Sequence, residues 1–395
     1  MKILKYLLGF FLIFITLQSC QKYPIYTKYN INPDSTIQLI HQSESEQTGE
    51  FFPIPAFSGM DSLYLLKKAN PMQIYSSQEN ESNTFQRKME WRKLYHFYQS
   101  ESGFPKPLFI PDKQSMITEE SNTCYKVDMT VNTKKELFAF SEILCDRDWV
   151  IWKEPLKSPS KKPVSANLMN WSTGEKQRIR ISSNLESIHY CADNLLISTR
   201  STPDDELKWW VYQVAKKRLY ALKSYGETVQ TSYLSDMIYW SSTEKEEWTA
   251  FSLSQRKVLK KIPFNVLPKG VITPFIQEKQ SAFWWRMDSI STDIIHGVFT
   301  KENQLHLSRL ILPITCQAID FFEDAPDNNS FWLQQADHPK SFYRLTSNLD
   351  SQFTLQEYSF LFNSAQRLGK VSFLSQKDEF IILSTQDSLY TFYAK

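Results

Sequence analysis

The chain has 395 residues, of which 42% are hydrophobic and 14% aromatic, and it carries 45 basic against 43 acidic side chains for a formal charge of +2. That is ample for a large buried core, and the balanced charge lacks the strongly basic composition that nucleic-acid binding brings. Short apolar runs separated by polar turns, without any sustained helical stripe, predict an all-β chain.

In chain order the first element is an export signal: Lys2 and Lys5 precede the apolar run Tyr6 to Leu17, which ends at Leu17-Gln18-Ser19-Cys20. The apolar run is too short for a bilayer-spanning helix, which needs about 20 residues. Leucine at minus three, a small residue at minus one and then cysteine resemble the signal of bacterial lipoproteins. The resemblance covers these twenty residues and implies cleavage between Ser19 and Cys20 and acylation of Cys20, palmitate included. Gln21 after the cysteine implies outer-membrane sorting, and without an acidic cluster there the expected orientation faces the periplasm. Loss of residues 1–19 leaves 43 basic and 43 acidic side chains. Residues 20–34 then read as a lipidated tether and residues 35–395 as a single domain.

Within that domain a unit recurs. "DNLLISTRSTPDDELKWWVYQVAKKRLYAL" begins at Asp193 and "DMIYWSSTEKEEWTAFSLSQRKVLKKI" at Asp236. Trp209 aligns with Trp248, Tyr212 with Phe251, Val214 with Leu253, and Lys216-Lys217-Arg218 with Gln255-Arg256-Lys257. Weaker copies start at Asp148, Ser281, Asn329 and Asp378, giving spacings of 45, 43, 45, 48 and 49 residues. A period of this size with several strands per unit resembles a β-propeller built of four-stranded antiparallel blades. Fainter starts at Asp61 and Asp112 bring the count to eight blades, with seven as the alternative because the spacings of 51 and 36 are irregular. The last unit ends after its third strand, so an N-terminal strand is expected to close the ring, and "STIQLIHQ" at 35–42 is the candidate. The Pro- and Lys-rich stretch 153–163 reads as a loop inside one unit.

No nucleophile elbow, zinc-binding His-Glu-x-x-His, phosphate loop or dinucleotide fingerprint occurs. The six histidines, His41, His96, His189, His296, His306 and His338, are isolated in sequence and read as structural or surface residues. Glu323, Asp324 and Asp327 share a loop with oxygen ligands suited to calcium, but without the spacing of a calcium-binding loop. Cys124 and Cys145 are the candidate disulfide among four remaining cysteines, with buried free thiols as the alternative. Ser35, in an Asp-Ser-Thr triplet, is the candidate O-glycosylation acceptor. Tryptophans 152, 210, 240, 285 and 332 recur in the repeated strands, which favours packing between blades over sugar binding.

No cofactor is expected. The reading is a membrane-tethered envelope lipoprotein acting as a non-catalytic binding or scaffold module, with an unidentified protein or glycan as its partner. The alternative is an envelope enzyme acting on a glycan or peptide at the central channel.

Overall fold

The computed structural model describes residues 26–29, 38–42, 47–56, 62–80, 88–97, 105–155, 165–222, 228–230, 236–242, 246–263, 273–278, 281–287, 291–299, 305–312, 314–318, 330–347, 353–362, 368, 371–377 and 380–393. Among these residues every regular element is a strand, and the strands form eight sheets in chain order. Seven of the sheets take four consecutive antiparallel strands each from the chain between Glu50 and Leu361. The eighth takes Val371–Lys377, Phe380–Thr385 and Ser388–Tyr393.

The eight repeat starts all lie at or just before the second strand of a sheet. Those strands are Tyr64–Lys68, Ser115–Glu120, Trp149–Lys153, Asn194–Arg200, Met237–Ser242, Ser281–Met287, Ser330–Gln335 and Phe380–Thr385. Eight is therefore the number of sheets. The irregular early spacing has a physical origin. The first sheet has long third and fourth strands, Met72–Asn80 and Lys88–Phe97, whereas the second is joined by tight turns at 113–114 and 121–122.

The aspartate that opens a unit holds its turn. The backbone carbonyls of Asp148, Asp193 and Asp236 accept N–H bonds from Trp171 (2.6 Å), Val214 (3.1 Å) and Leu253 (2.8 Å), the residues that leave the third strand. The Asp148 carboxylate also accepts from Asn170 Nδ2 at 2.7 Å, and Asp236 from the Ser252 hydroxyl at 3.0 Å. The aligned turns match in backbone too: Lys217 and Arg256 occupy the left-handed region, at φ 50° and 54°, where a non-glycine residue is uncommon.

A sheet of this kind exposes two faces, and burying both requires neighbours. Ile54, Tyr64 and Ile74 of the first sheet pack with Ile110, Met116 and Val127 of the second. Phe109 and Ile117 then meet Val150 and Trp152 of the third, whose Trp149, Ile151 and Leu168 meet Leu195, Ile197 and Tyr212 of the fourth. Trp209 and Val211 meet Ile238 and Trp240 of the fifth, and Trp332 and Phe360 of the seventh meet Leu374 and Leu383 of the eighth. The other face of the first sheet, with Phe51, Leu63 and Leu65, packs on Phe380, Ile382 and Leu389 of the eighth. Continuous apolar second strands follow from this double cover: Trp149–Lys153 and Phe380–Thr385 are buried at every position.

The N-terminal residues depart from expectation. Gln38–His41 adds a fifth strand, parallel, to the Phe353–Leu361 edge of the seventh sheet rather than lying beside the C-terminal strand. The strand that completes the eighth sheet is Gln47–Thr48, antiparallel to Ser388–Leu389, and of the expected segment only Gln42 reaches that strand, through a bridge to Phe392. Tyr26–Tyr29, assigned to the tether by sequence, pairs in parallel with Leu305–Leu312 at the edge of the sixth sheet. Three edges are thus covered by one N-terminal run, whose short strands become the new edges of their sheets. The strands that flank the 153–163 stretch, Trp149–Lys153 and Ala166–Asn170, pair with one another within the third sheet, while residues 156–163 lie outside the described residues.

Candidate functional site

The described polar groups converge at the seam between the first strands of the third and fourth sheets, Glu142–Asp146 and Asn184–Cys191. Radial sheets approach one another most closely near the axis, so hydrogen bonds from first strand to first strand mark the axial side. Two carboxylates make such bonds: Glu142 Oε2 accepts from Leu185 N at 2.7 Å, and Asp146 Oδ2 from Tyr190 N at 2.6 Å. Behind them lies Lys153, 3% exposed at the end of the second strand. Its ammonium donates to Glu142 Oε1 at 3.1 Å and to the Ser183 carbonyl at 2.7 Å. One ion pair thereby links three segments of two sheets.

His189 stands next to Tyr190 on the same seam. Burial pushes its imidazole below the usual histidine value, and the Asp146 carboxylate pulls it part of the way back. Tyr190, whose hydroxyl donates to Asp193 Oδ1 at 3.2 Å, is raised by burial and by the Asp193 charge. A buried imidazole that feels a carboxylate's charge is an arrangement that general acid–base catalysis uses. Here, however, the Asp146 carboxylate also holds a backbone N–H of the adjoining sheet.

The histidine sets a sign for pH dependence. A folded-state pKa below the unfolded value of 6.5 means that the native protein binds fewer protons in that range, so stability is complete above 6.5 and is lost as pH falls through it. The urea midpoint of the wild type is expected to drop between about pH 7.5 and pH 5.5 by more than that of His189→Gln. Asp146→Asn, which removes the offsetting charge, is expected to steepen the drop. Equal slopes in wild type and His189→Gln would refute the assignment.

The remaining sequence candidates fare differently. The Cys124–Cys145 bridge is not formed; both are free, as are Cys191 and Cys316. The two do lie together at the apolar interface between the second and third sheets. Burial, with Glu119 adding to it, pushes the Cys124 thiol up to about 12, and burial raises Cys145 as well; this suits core thiols rather than reactive ones. Cys20, Ser19, Ser35, Glu323, Asp324 and Asp327 lie outside the described residues. Among the described residues, no three His, Cys, Asp or Glu side chains are grouped to hold a metal ion. Trp152, Trp240 and Trp332 are at most 3% exposed, as packing between sheets requires, and Trp210 is half-buried with its Nε1 on Thr199 Oγ1 at 3.0 Å. The side chain of Trp285 lies outside the described set.

The seam was not evident from sequence motifs because its partners sit one repeat apart. Glu142 and Leu185 are separated by 43 residues and Asp146 and Tyr190 by 44. Scanning aligned first strands at one repeat spacing is the signal that finds them.

No protein-family model matches the chain, and no curated protein matches it. Among solved structures it is similar to the WD40 domain of SCAP from fission yeast, at 8% identity and a TM-score of 0.47, covering 90% of this chain and 97% of that one. A eukaryotic initiation factor gives 12% identity and a TM-score of 0.49 over 82% and 91% of the two chains. BamB from Moraxella catarrhalis gives 10% and 0.37 over 92% and 96%. Identities this low bear on fold alone.

Proposed function

We propose that the protein is a membrane-tethered lipoprotein of the cell envelope, a non-catalytic binding or scaffold module that presents the turns of an eight-bladed β-propeller to a protein or glycan. The observation that carries the non-catalytic reading is the seam between the third and fourth sheets. Its carboxylates, the groups best placed for chemistry, are engaged in holding one sheet to the next. Sheets packed face to face through shared apolar interfaces make a stiff frame whose exposed turns are free to vary. The tether rests on the Leu17-Gln18-Ser19-Cys20 signal, with Cys20 acylated, residence in the outer membrane and the domain facing the periplasm.

The test is fractionation with metabolic labelling in a Gram-negative host. Wild type is expected to incorporate labelled palmitate and to partition with membranes, and Cys20→Ala to incorporate none. Palmitate on the variant, or none on the wild type, contradicts the tether. The second reading, an envelope enzyme, is favoured by one observation, the electrostatic pull of the Asp146 carboxylate on the buried His189 imidazole. It requires that His189→Ala abolish a hydrolytic activity on glycan or peptide while the protein stays folded.

A further inference from the structure

The direction in which the chain leaves the sixth sheet defines one end of the propeller. Tyr26 pairs in parallel with Leu307, near the start of the fourth strand Leu305–Leu312. Tyr26–Tyr29 therefore begins at the end where third strands turn into fourth strands. Six residue steps separate Cys20 from Tyr26, a reach of about 20 Å when fully extended. An acylated Cys20 therefore keeps that end close to the bilayer.

The same end carries an independent feature. In the fourth and fifth sheets the turns between third and fourth strands hold Lys216, Lys217 and Arg218, and Arg256 and Lys257, all exposed. Neither turn contains a carboxylate. Val258, beside them, is a large apolar side chain left 39% exposed. Of the nearby acids, Glu175 neutralises Lys217 at 2.7 Å, and Asp193 and Asp236, which accept the Tyr190 and Ser252 hydroxyls, remain anionic, so the five cations of the two turns outnumber these three acids by two. Arg256 stacks on the Tyr220 ring, 4.4 Å from its centroid, which presents its guanidinium in a fixed position. The opposite end of the fourth sheet is acidic, with Asp204, Asp205 and Glu206 exposed in the turn between its second and third strands.

We propose that the turns at Lys216–Arg218 and Arg256–Lys257 form a docking surface for anionic lipid headgroups, so that the propeller rests on the membrane by this end and turns its Asp204–Glu206 end outward. Clustered cations at a membrane surface gain from anionic lipid and lose that gain with salt, and an exposed valine among them enters the interfacial layer without a desolvation cost. The proposal builds on the tether reading, and its test separates the two.

The full chain, as wild type and as Cys20→Ala, receives a fluorophore at Lys216→Cys or, in a second preparation, at Asp204→Cys. Each is mixed with vesicles of phosphatidylethanolamine containing about one third phosphatidylglycerol, or with phosphatidylcholine vesicles, both bearing a headgroup nitroxide quencher. The expected result is quenching at 216 several-fold stronger than at 204, dependent on phosphatidylglycerol and abolished at high salt. Combined Lys217→Gln, Arg218→Gln, Arg256→Gln and Lys257→Gln substitutions are expected to reduce it to the level at 204. Equal quenching at the two positions, or quenching insensitive to the four substitutions, overturns the surface. Quenching that persists in Cys20→Ala, in a protein that takes up no palmitate, removes the anchor and supports the surface.

Discussion

Trp152→Ala is expected to destabilise the protein by about 3–5 kcal/mol, read as a lower urea midpoint. Trp152 is 0% exposed and sits where the second and third sheets meet. Its ring stacks on Phe138 of the second sheet at 4.0 Å between centroids and 14° between planes, with the Lys176 ammonium over it at 4.8 Å. Truncation opens a cavity at the junction that neither rigid sheet collapses to fill. The indole Nε1 has no hydrogen-bond partner among the described residues. Trp152→Phe, which keeps an aromatic ring and removes that orphaned donor, is therefore expected to lose much less. A loss under about 1 kcal/mol for the alanine variant would mean that the two sheets do not share a packed interface.

Glu142→Ala is the second large effect, at about 3–5 kcal/mol. The substitution leaves the Lys153 ammonium, 3% exposed, without its anion, and deprives the Leu185 N–H of its acceptor. Uncompensated buried charge dominates that cost, so Lys153→Met, which removes the charge instead, is expected to be milder. The double variant Glu142→Leu with Lys153→Met should recover most of the loss, because it removes the buried Lys153 charge together with its half-buried partner, and apolar replacement of such a pair is often neutral. If Glu142→Ala and Lys153→Met prove equally mild in urea titration, the pair does not join the sheets.

Much of this architecture was written locally. A sheet covered on both faces needs unbroken apolar second strands, and "WVIW", "IYW" and "FWL" advertise that need at a regular spacing. The opening aspartates were equally legible, since a turn that receives N–H groups from the third strand recurs with the unit. The closing strand was not legible for the opposite reason. Gln47–Thr48 is two polar residues long, while Gln38–His41 carries Leu39 and Ile40 and looks like the better strand. Length and apolarity could not tell which of three neighbouring sheets each would join. The seam was hidden because the bonds from Glu142 to Leu185, Asp146 to Tyr190 and Lys153 to Ser183 form between sheets, although Glu142 and Lys153 face one another within the third sheet. Only the superposition of one repeat on the next brings such residues into register.

The placement of the N-terminal run is the claim on which the eight-sheet account turns, and cysteine cross-linking tests it most directly. Thr48 and Ser388 face one another across the antiparallel pair, and the adjacent Gly49 N–H donates to the Asp387 carbonyl at 2.6 Å, so 48 and 388 form the closer, non-hydrogen-bonded pair. Their Cβ atoms then fall within the range that a disulfide spans. Thr48→Cys with Ser388→Cys is expected to cross-link on mild oxidation of the folded protein, giving a band of altered mobility that reductant restores. Native protein in which both engineered thiols stay free under the same oxidant would contradict completion of the eighth sheet by residues 47–48.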